Sequence, residues 1–343
     1  MIRMSSEPMV SVIIPTFNCG RYITQAIESV LRQTYKVYEI IVVDDGSTDN
    51  TKSVLSCLQA TIIYVYQNNE GVVAARNLGI QRARGQLVAF LDADDTWDTR
   101  KLEHQVQAIQ KYPEAGLVFA DFHEFDESGV IAQSRFHGWS KARVWYGTNG
   151  DPATGMACGW IHENLLTANW IHTSTVLVSK EALTEAGSFD PAFRVCQDYD
   201  LWLRIARIRP VAYVNRILCG YRHRPDGLSG TAEARLLRWN QDTVLVLEKH
   251  LRLNAVPPKC MSSVKARLSE LYWTLAWHHF HHHRLREARR LFLSGLRYRP
   301  FCPKNWLYLA AAVLPPRAIE GIRALRHRQL GRIAESGMRL DPR

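Results

Sequence analysis

The feature that most constrains this chain is the stretch from Leu87 to Trp97, where the apolar run Leu87-Val88-Ala89-Phe90-Leu91 ends abruptly in Asp92, Asp94 and Asp95. An uninterrupted apolar run of strand length reads as a strand buried on both faces, and buried parallel strands present functional side chains at their carboxyl ends. The acid cluster is therefore expected at a strand tip. Like charges that close repel, and a divalent cation with oxygen ligands would offset the cost. A polar turn in which Asp95 or Thr96 caps the next helix is the alternative, and this stretch alone leaves both open.

The flanking sequence supplies the rest of the sheet. Val10 to Pro15 repeats the buried-strand pattern and leads into a loop, Thr16 to Gly20, after which Ile23, Ala26, Ile27, Val30 and Leu31 recur at helical spacing. Glu39 to Val43 is a second strand, and the Asp44-Asp45-Gly46-Ser47-Thr48-Asp49 that closes it suits a turn and a helix N-cap. Thr61 to Tyr66, Gly116 to Asp121 and Thr173 to Val178 read as further strands. Strands alternating with helices predict an α/β fold, a mostly parallel sheet covered on both faces, with ligands along its carboxyl edge. Thr16 to Asn18, Asp44-Asp45 and Asp92 to Asp94 would all lie there. Neither G-x-G-x-x-G after the first strand nor G-x-x-x-x-G-K-[ST] occurs, so a nucleotide bound here would be held by carboxylates and a metal. Taken singly, Asp44 and Asp45 also read as turn formers and Arg76 as a helix-surface residue.

P-T-F-N at Pro15 to Asn18, V-V-D-D-G-S-T-D at Val42 to Asp49, E-G-V-V-A-A-R-N-L-G at Glu70 to Gly79 and F-L-D-A-D-D-T-W at Phe90 to Trp97 resemble family 2 glycosyltransferases of the GT-A fold. These ordered motifs are far more specific together than any one alone. The resemblance implies a Rossmann-like catalytic domain, taken over residues 1–232, and beyond Ala232 the pattern turns helical, giving a C-terminal extension over 233–343. It implies that Asp45 and the loop of Pro15, Thr16 and Phe17 hold the nucleotide base, with Asp44, Asp92 and Ala93 also counted as donor-binding, and that Arg76 and Asn77 line the donor site. Asp92-Ala93-Asp94 would be the D-x-D element, in which Asp94 ligates Mn²⁺ or Mg²⁺ bridging the diphosphate of a nucleotide diphosphate sugar.

Further along, Cys196-Gln197-Asp198-Tyr199-Asp200-Leu201-Trp202-Leu203-Arg204 opens a helix with apolar residues at Leu201, Ile205 and Ile208. Its first turn presents Asp198 and Asp200, where carboxylates also serve simply to complement the helix dipole. In the resembling family this position reads E-D-x-D-L-W-x-R and its first Asp is the catalytic base, which is Asp198 here; Gln197 stands where Glu is usual. Tyr221 to Ser229 resembles the Y-R-x-H-x-x-x-x-S segment that closes over the diphosphate. His223 is displaced by one position and Arg224 occupies the usual histidine place, so only a phosphate-facing basic group carries over. Ahead of both, Asp126 to Ala168 is irregular and rich in aromatics at Trp139, Trp145, Tyr146 and Trp160, which suits either binding loops or packing.

From Pro257 to the end there are 17 Lys and Arg against 5 Asp and Glu, leaving 26 against 28 before it, so the body is nearly neutral and the tail carries the excess behind the net charge of +10. Tyr272, Leu275, Ala276, Ala288, Phe292, Gly295 and Pro300 match the spacing of one tetratricopeptide-like helix pair without a second copy. Five histidines between His278 and His283 include i,i+4 pairs, yet lack an acid or Cys partner nearby in sequence, and read as an incidental surface feature. The amphipathic stretch Arg317 to Leu330 suits peripheral contact with an anionic membrane. Seven scattered cysteines with no C-x-x-C pair, no signal-peptide h-region and no apolar run of spanning length place the expected site in the cytoplasm, peripheral on the inner face of the cell membrane.

The resemblance implies a metal-dependent, inverting transfer of a sugar from a nucleotide diphosphate donor to a carbohydrate or lipid-linked acceptor, as in cell-surface polysaccharide or glycolipid synthesis. A sugar-phosphate nucleotidyltransferase would carry a Gly-rich basic loop after the first strand, which Pro15 to Gly20 lacks. A non-catalytic relative would have no need of intact Asp92, Asp94 and Asp198. A nucleic-acid partner is not expected, because the basic tail has no docking motif.

Overall fold

The computed structural model describes residues 7–138, 140–224 and 232–313. The first half alternates as expected: β1 (Val10–Thr16), α1 (Ile23–Leu31), β2 (Glu39–Asp44), α2 (Thr51–Ser56), β3 (Ile63–Tyr66), α3 (Val72–Arg82) and β4 (Leu87–Phe90). All four strands are parallel in the spatial order β3-β2-β1-β4, with Thr16 opposite Asp44 and Ile13 opposite Phe90. This register ends β1, β2 and β4 on one edge, so the polar loops that follow them leave the sheet side by side. The strands can be apolar on both faces because helices cover both; Val12, Ile13, Ile41, Val42 and Ala89 are fully buried. Helix α3 approaches β1 so closely at Gly79 that a Cβ there would collide with Ile13.

The second half is mixed. It contains β5 (Thr96–Trp97), α4 (Lys101–Lys111), β6 (Leu117–Asp126), β7 (Gly129–Ala132), α5 (Ser140–Asn149), β8 (Gly150–Asp151), β9 (Met156–Gly159), α6 (His162–Leu165), β10 (Leu177–Ser179), α7 (Lys180–Ala186), α8 (Gln197–Ile208) and β11 (Val211–Arg222). Strand β10 lies antiparallel between β4 and β6, while β11 runs parallel to β6, so β4, β6 and β11 point the same way and end on the site edge. The strand expected over Thr173 to Val178 is confined to β10, and Thr173–Thr175 instead forms one 3₁₀ turn. The hydroxyl of Thr175 donates to the carbonyl of His172 at 2.7 Å, a local bond of the kind that competes with a strand ladder.

The segment from Asp126 to Ala168, expected to be irregular, is instead largely ordered into β7, α5, β8, β9 and α6, and its aromatics mostly pack. Trp145 is buried, Phe136 stacks on Tyr213 at 3.9 Å and Tyr146 meets the same ring edge-on at 5.7 Å. Trp160 is 62% exposed, but it follows β9, which pairs at Gly159 with Val211 at the amino end of β11, on the edge opposite the site. Trp139 lies outside the described residues.

The chain divides into two compact units, Met1–Arg235 with Lys249–Pro257, and Leu236–Glu248 with Pro258–Arg343. The division falls within α9 (Ala232–Arg252), and Lys249–Pro257 belongs to the first unit. In the second unit α10 (Met261–His281) and α11 (Leu285–Tyr298) form the expected helix pair around buried Ala276, Ala288 and Phe292, followed by α12 (Pro303–Val313). Tyr272 and Tyr298 stack and both donate to Glu248 Oε1, at 2.6 and 2.8 Å. The rings of His278 and His282, one turn apart, stand 4.3 Å from each other. No helix among the described residues is long and apolar enough to cross a membrane, and all seven cysteines are free thiols. Arg317 to Leu330 falls outside the described residues.

Candidate active site

The loops after β1 and β2 interlock. Asn18, at φ +51°, accepts from the Thr48 and Asp49 amides, while its own amide donates to Ser47 Oγ. Asp44 is buried and accepts from Ser47 N at 2.9 Å and Tyr64 Oη at 2.8 Å. Asp45 is also buried, with one oxygen accepting from Gln67 Nε2 and Glu70 N and the other from Gly71 N, all within 2.9 Å. Pro15 and Thr16 are buried, Phe17 is 39% exposed, and the Thr16 hydroxyl is buried without a protein partner.

The acid cluster follows β4 directly. Asp92 accepts from Arg76 Nη2 at 2.5 Å, and Arg76, nearly fully buried on α3, keeps Nε and Nη1 without a partner. Asp94 pairs with Arg224 Nη1 at 3.1 Å, and Arg224 lies 4.9 Å over the Tyr22 ring. Asp95 is buried, accepting from Ser174 Oγ at 2.6 Å and Arg222 N at 3.0 Å, which ties the cluster to the end of β11. Burial raises the pKa of Asp94, with Asp92 adding to it and Arg224 opposing; burial pushes Asp95 up further, reinforced by Asp94 and Asp92. The His172 ring packs between Phe122 and Tyr221 with Nδ1 4.0 Å from Asp95, and burial brings its pKa down to about 4.

Helix α8 brings the two remaining carboxylates to very different surroundings. Asp198 accepts from Thr173 Oγ1 at 2.9 Å and from the Tyr199 amide at 2.6 Å, and burial raises its pKa against the pull of nearby Arg76. Asp200 is 0% exposed and held by Arg204 Nε at 2.9 Å, Lys249 Nζ at 2.8 Å and His250 Nε2 at 3.3 Å. Burial alone would raise its pKa, but the His250 hydrogen bond and the two cations outweigh it and hold it at about 2.

Residues 11–161 match the family described as Glycosyl transferase family 2. The chain is 31% identical over 213 residues to an uncharacterized glycosyltransferase of Rickettsia typhi, covering 62% of this chain and 63% of that one. It is 31% identical over 223 residues to TuaG of Bacillus subtilis, a glycosyltransferase assigned provisionally to teichuronic acid biosynthesis, covering 63% of this chain and 79% of TuaG. The chain belongs to glycosyltransferase family 2. Its fold is that of GT-A glycosyltransferases: S. aureus TarS 1–349, solved with UDP-GlcNAc, superposes with a TM-score of 0.58 at 16% identity over 84% of this chain and 81% of that one. The mannosyltransferase PcManGT of Pyrobaculum calidifontis, solved with GDP-Man and Mn²⁺, gives 0.57 at 19% identity over 93% and 85%.

Within this family 2 glycosyltransferase the structure sorts the expected site residues. Arg76, Asp92, Asp94, Asp198 and Arg224 come together at the sheet edge, Phe17 is exposed on it, and Ala93 is buried within the cluster. Arg224, not His223, faces Asp94; His223 turns to Glu124 at 3.2 Å. Pro225 to Ser229 lie outside the described residues. The amide of Asn77 is engaged on both the N–H and the carbonyl of Phe189 at 3.0 and 2.9 Å. The oxygens of Asp44 accept from Ser47 and Tyr64, and those of Asp45 clamp the Gln67 to Gly71 loop.

Sequence reasoning missed His172, Ser174, Arg222 and the anchoring role of Asp95. The run of hydroxyls at Thr173 to Thr175, unusual where a buried strand was expected, was the available signal. The donor set suits a hard divalent cation: carboxylates crowded until burial and mutual repulsion raise their pKa values are groups that a cation would relieve. Among the described residues, the ligand atoms of Asp92, Asp95 and His172 lie within 4.8 Å of one another, whereas Asp94 is engaged by Arg224.

Proposed function

We propose that this chain transfers a sugar from a nucleoside diphosphate sugar to an acceptor hydroxyl with inversion at the anomeric carbon. The observation that carries the reading is Asp198, a carboxylate with raised basicity, within electrostatic reach of Arg76 and Asp92. Arg76 has buried guanidinium donors facing no protein acceptor, which suits an incoming diphosphate. Phe17 offers an exposed ring for a base to stack on. Asp198 takes the acceptor proton as the hydroxyl attacks, and one direct displacement inverts the centre. Arg224 and Arg76 meet negative charge growing on the departing diphosphate. A divalent cation held by Asp94 with Asp92 would supply further neutralisation of that charge. The GDP-Man and Mn²⁺ held by PcManGT and the UDP-GlcNAc held by TarS support a donor of this class.

A thermal-shift screen of UDP- and GDP-sugars with and without Mn²⁺, followed by assay of nucleoside diphosphate release, tests the proposal. A donor should raise the melting temperature and be slowly hydrolysed. Binding without any release, in the presence of acceptor extracts, would mark a non-catalytic relative instead.

The second unit supports a peripheral membrane role. Phe301 is 96% exposed, Trp306, Leu307 and Val313 are exposed on α12, and Arg297, Arg299 and Lys304 neighbour them in sequence. Such a surface suits the anionic inner leaflet, where a lipid-linked acceptor would be found. Phe301→Ser with Leu307→Ser should abolish cosedimentation with phosphatidylglycerol vesicles at low salt; unchanged sedimentation overturns this assignment.

A further inference from the structure

We infer that Thr173 is a positioning residue for Asp198, and that the turn around it joins the base to the acid cluster. The inference rests on the reading of Asp198 as the base. The Thr173 hydroxyl donates to Asp198 Oδ2 at 2.9 Å, while Oδ1 accepts from the Tyr199 amide at 2.6 Å. An ionised carboxylate has about four acceptor positions, so two fixed donors set the plane of the group and leave lone pairs for an acceptor hydroxyl. A base so held needs no reorientation before it takes the proton, and misplacement of about an ångström can lower a rate roughly a hundredfold.

The turn that carries Thr173 is itself pinned from several directions. Trp97 Nε1 donates to the Ser174 carbonyl at 2.7 Å, and Gln105 Nε2 donates to the Thr175 carbonyl at 2.7 Å. Gln105 is in turn held by buried Lys101, whose Nζ is 2.7 Å from Gln105 Oε1 and 3.9 Å over the Trp97 ring. Ser174 Oγ donates to Asp95 at 2.6 Å and accepts from the Asp92 amide at 3.1 Å. Thr173, Ser174 and Thr175 are all buried. Adjacent residues of one rigid turn thus grip the base and the acid cluster, which fixes the distance between proton acceptor and leaving-group site.

The test compares Thr173→Val, Thr173→Ser and Asp198→Asn in the full chain. Hydrolysis of UDP-GlcNAc and GDP-mannose is followed against pH, donor Kd is measured separately, and the Asp198 carboxyl is titrated by ¹³C NMR, which needs no donor. Thr173→Val should lower kcat roughly ten- to a hundredfold with donor Kd within about twofold. The Asp198 titration and the acidic limb of the rate profile should move to higher pH by about half a unit to one unit, because the charged form loses a hydrogen bond. Thr173→Ser, which keeps the donor, should restore all three. A Val variant with parental kcat and titration overturns the inference, as does one in which kcat and donor affinity fall together while the titration stays in place. If Asp198→Asn turns over at the parental rate, the base assignment fails and takes Thr173 with it. If Asp198→Asn is inactive and Thr173→Val is parental, only the Thr173 inference fails.

Discussion

The loops after β1 and β2 and the stretch after β4 are equally rich in polar side chains and leave the same sheet edge, but they treat those side chains oppositely. In the first, Asn18, Asp44 and Asp45 find partners within the loops they brace. In the second, Asp94 and Asp95 have raised pKa values, Arg76 keeps two buried donors without acceptors, and Asp198 is burdened by burial. An unmet buried donor costs about 1–3 kcal/mol, so a fold retains several together only where something outside the chain completes them. Satisfied polar groups build the frame. The unsatisfied donors of Arg76 suit a ligand.

The largest effect expected from this contrast is at Asp198. Asp198→Asn should retain donor binding and lose roughly 10²- to 10⁴-fold in transfer rate, since a general base acts only in the transition state. Near-parental turnover at saturating donor would break the assignment. Next is Asp94→Asn, which should abolish the Mn²⁺-dependent part of donor binding in a thermal-shift titration. Its ligand-free melting temperature should hold or rise, because removing one charge from a repelling cluster relieves strain even though Arg224 loses a partner. A large fall in that melting temperature would make Asp94 part of the frame.

How much of this was legible beforehand follows the same division. Apolar runs and helical spacing foretold β1, β2, β4 and the edge on which they end, since periodicity and burial are local properties of the chain. The motif residues Arg76, Asp92, Asp94 and Asp198 were legible as a family pattern. The direction of a side chain was not: Asp44 and Asn77 sit in the right motifs and turn inward, a matter decided by neighbours as distant as Tyr64 and Phe189. Thr173 and Ser174 have the pattern of a strand, and nothing in their own sequence reveals that Asp198 and Asp95 stand opposite them.

Asp200, two residues from the proposed base, belongs to the frame. Asp200→Asn leaves Lys249 and Arg204 facing a neutral group in a buried network and should cost about 3 kcal/mol at pH 7. Its pKa is depressed on folding, from an ordinary 3.8 to about 2, so the carboxylate stabilises the fold above the unfolded value and loses that contribution as pH falls through the folded one. Denaturant unfolding of parent and variant should therefore converge between about pH 4 and pH 2. A gap that is constant over that window would show the loss to be packing rather than charge.

The smallest effect is also the most discriminating, because it separates two consecutive residues of α3. Arg76 and Asn77 follow one another in the same motif, yet residues one apart on a helix point about 100° away from each other and do not share a face. Arg76 reaches Asp92 and keeps donors free, whereas Asn77 is closed in a reciprocal pair with the Phe189 backbone ahead of α8. Asn77→Ala should thus lower stability by about 2 kcal/mol, the cost of leaving a buried N–H and carbonyl without partners, with donor Kd within about twofold of the parent. Arg76→Met should do the reverse, weakening donor binding more than tenfold, since a charge-assisted bond to a diphosphate is worth about 1.5–3 kcal/mol. Measured by urea unfolding and by donor titration, the two variants should fall on opposite axes; equal loss of donor affinity in both would place Asn77 in the donor site.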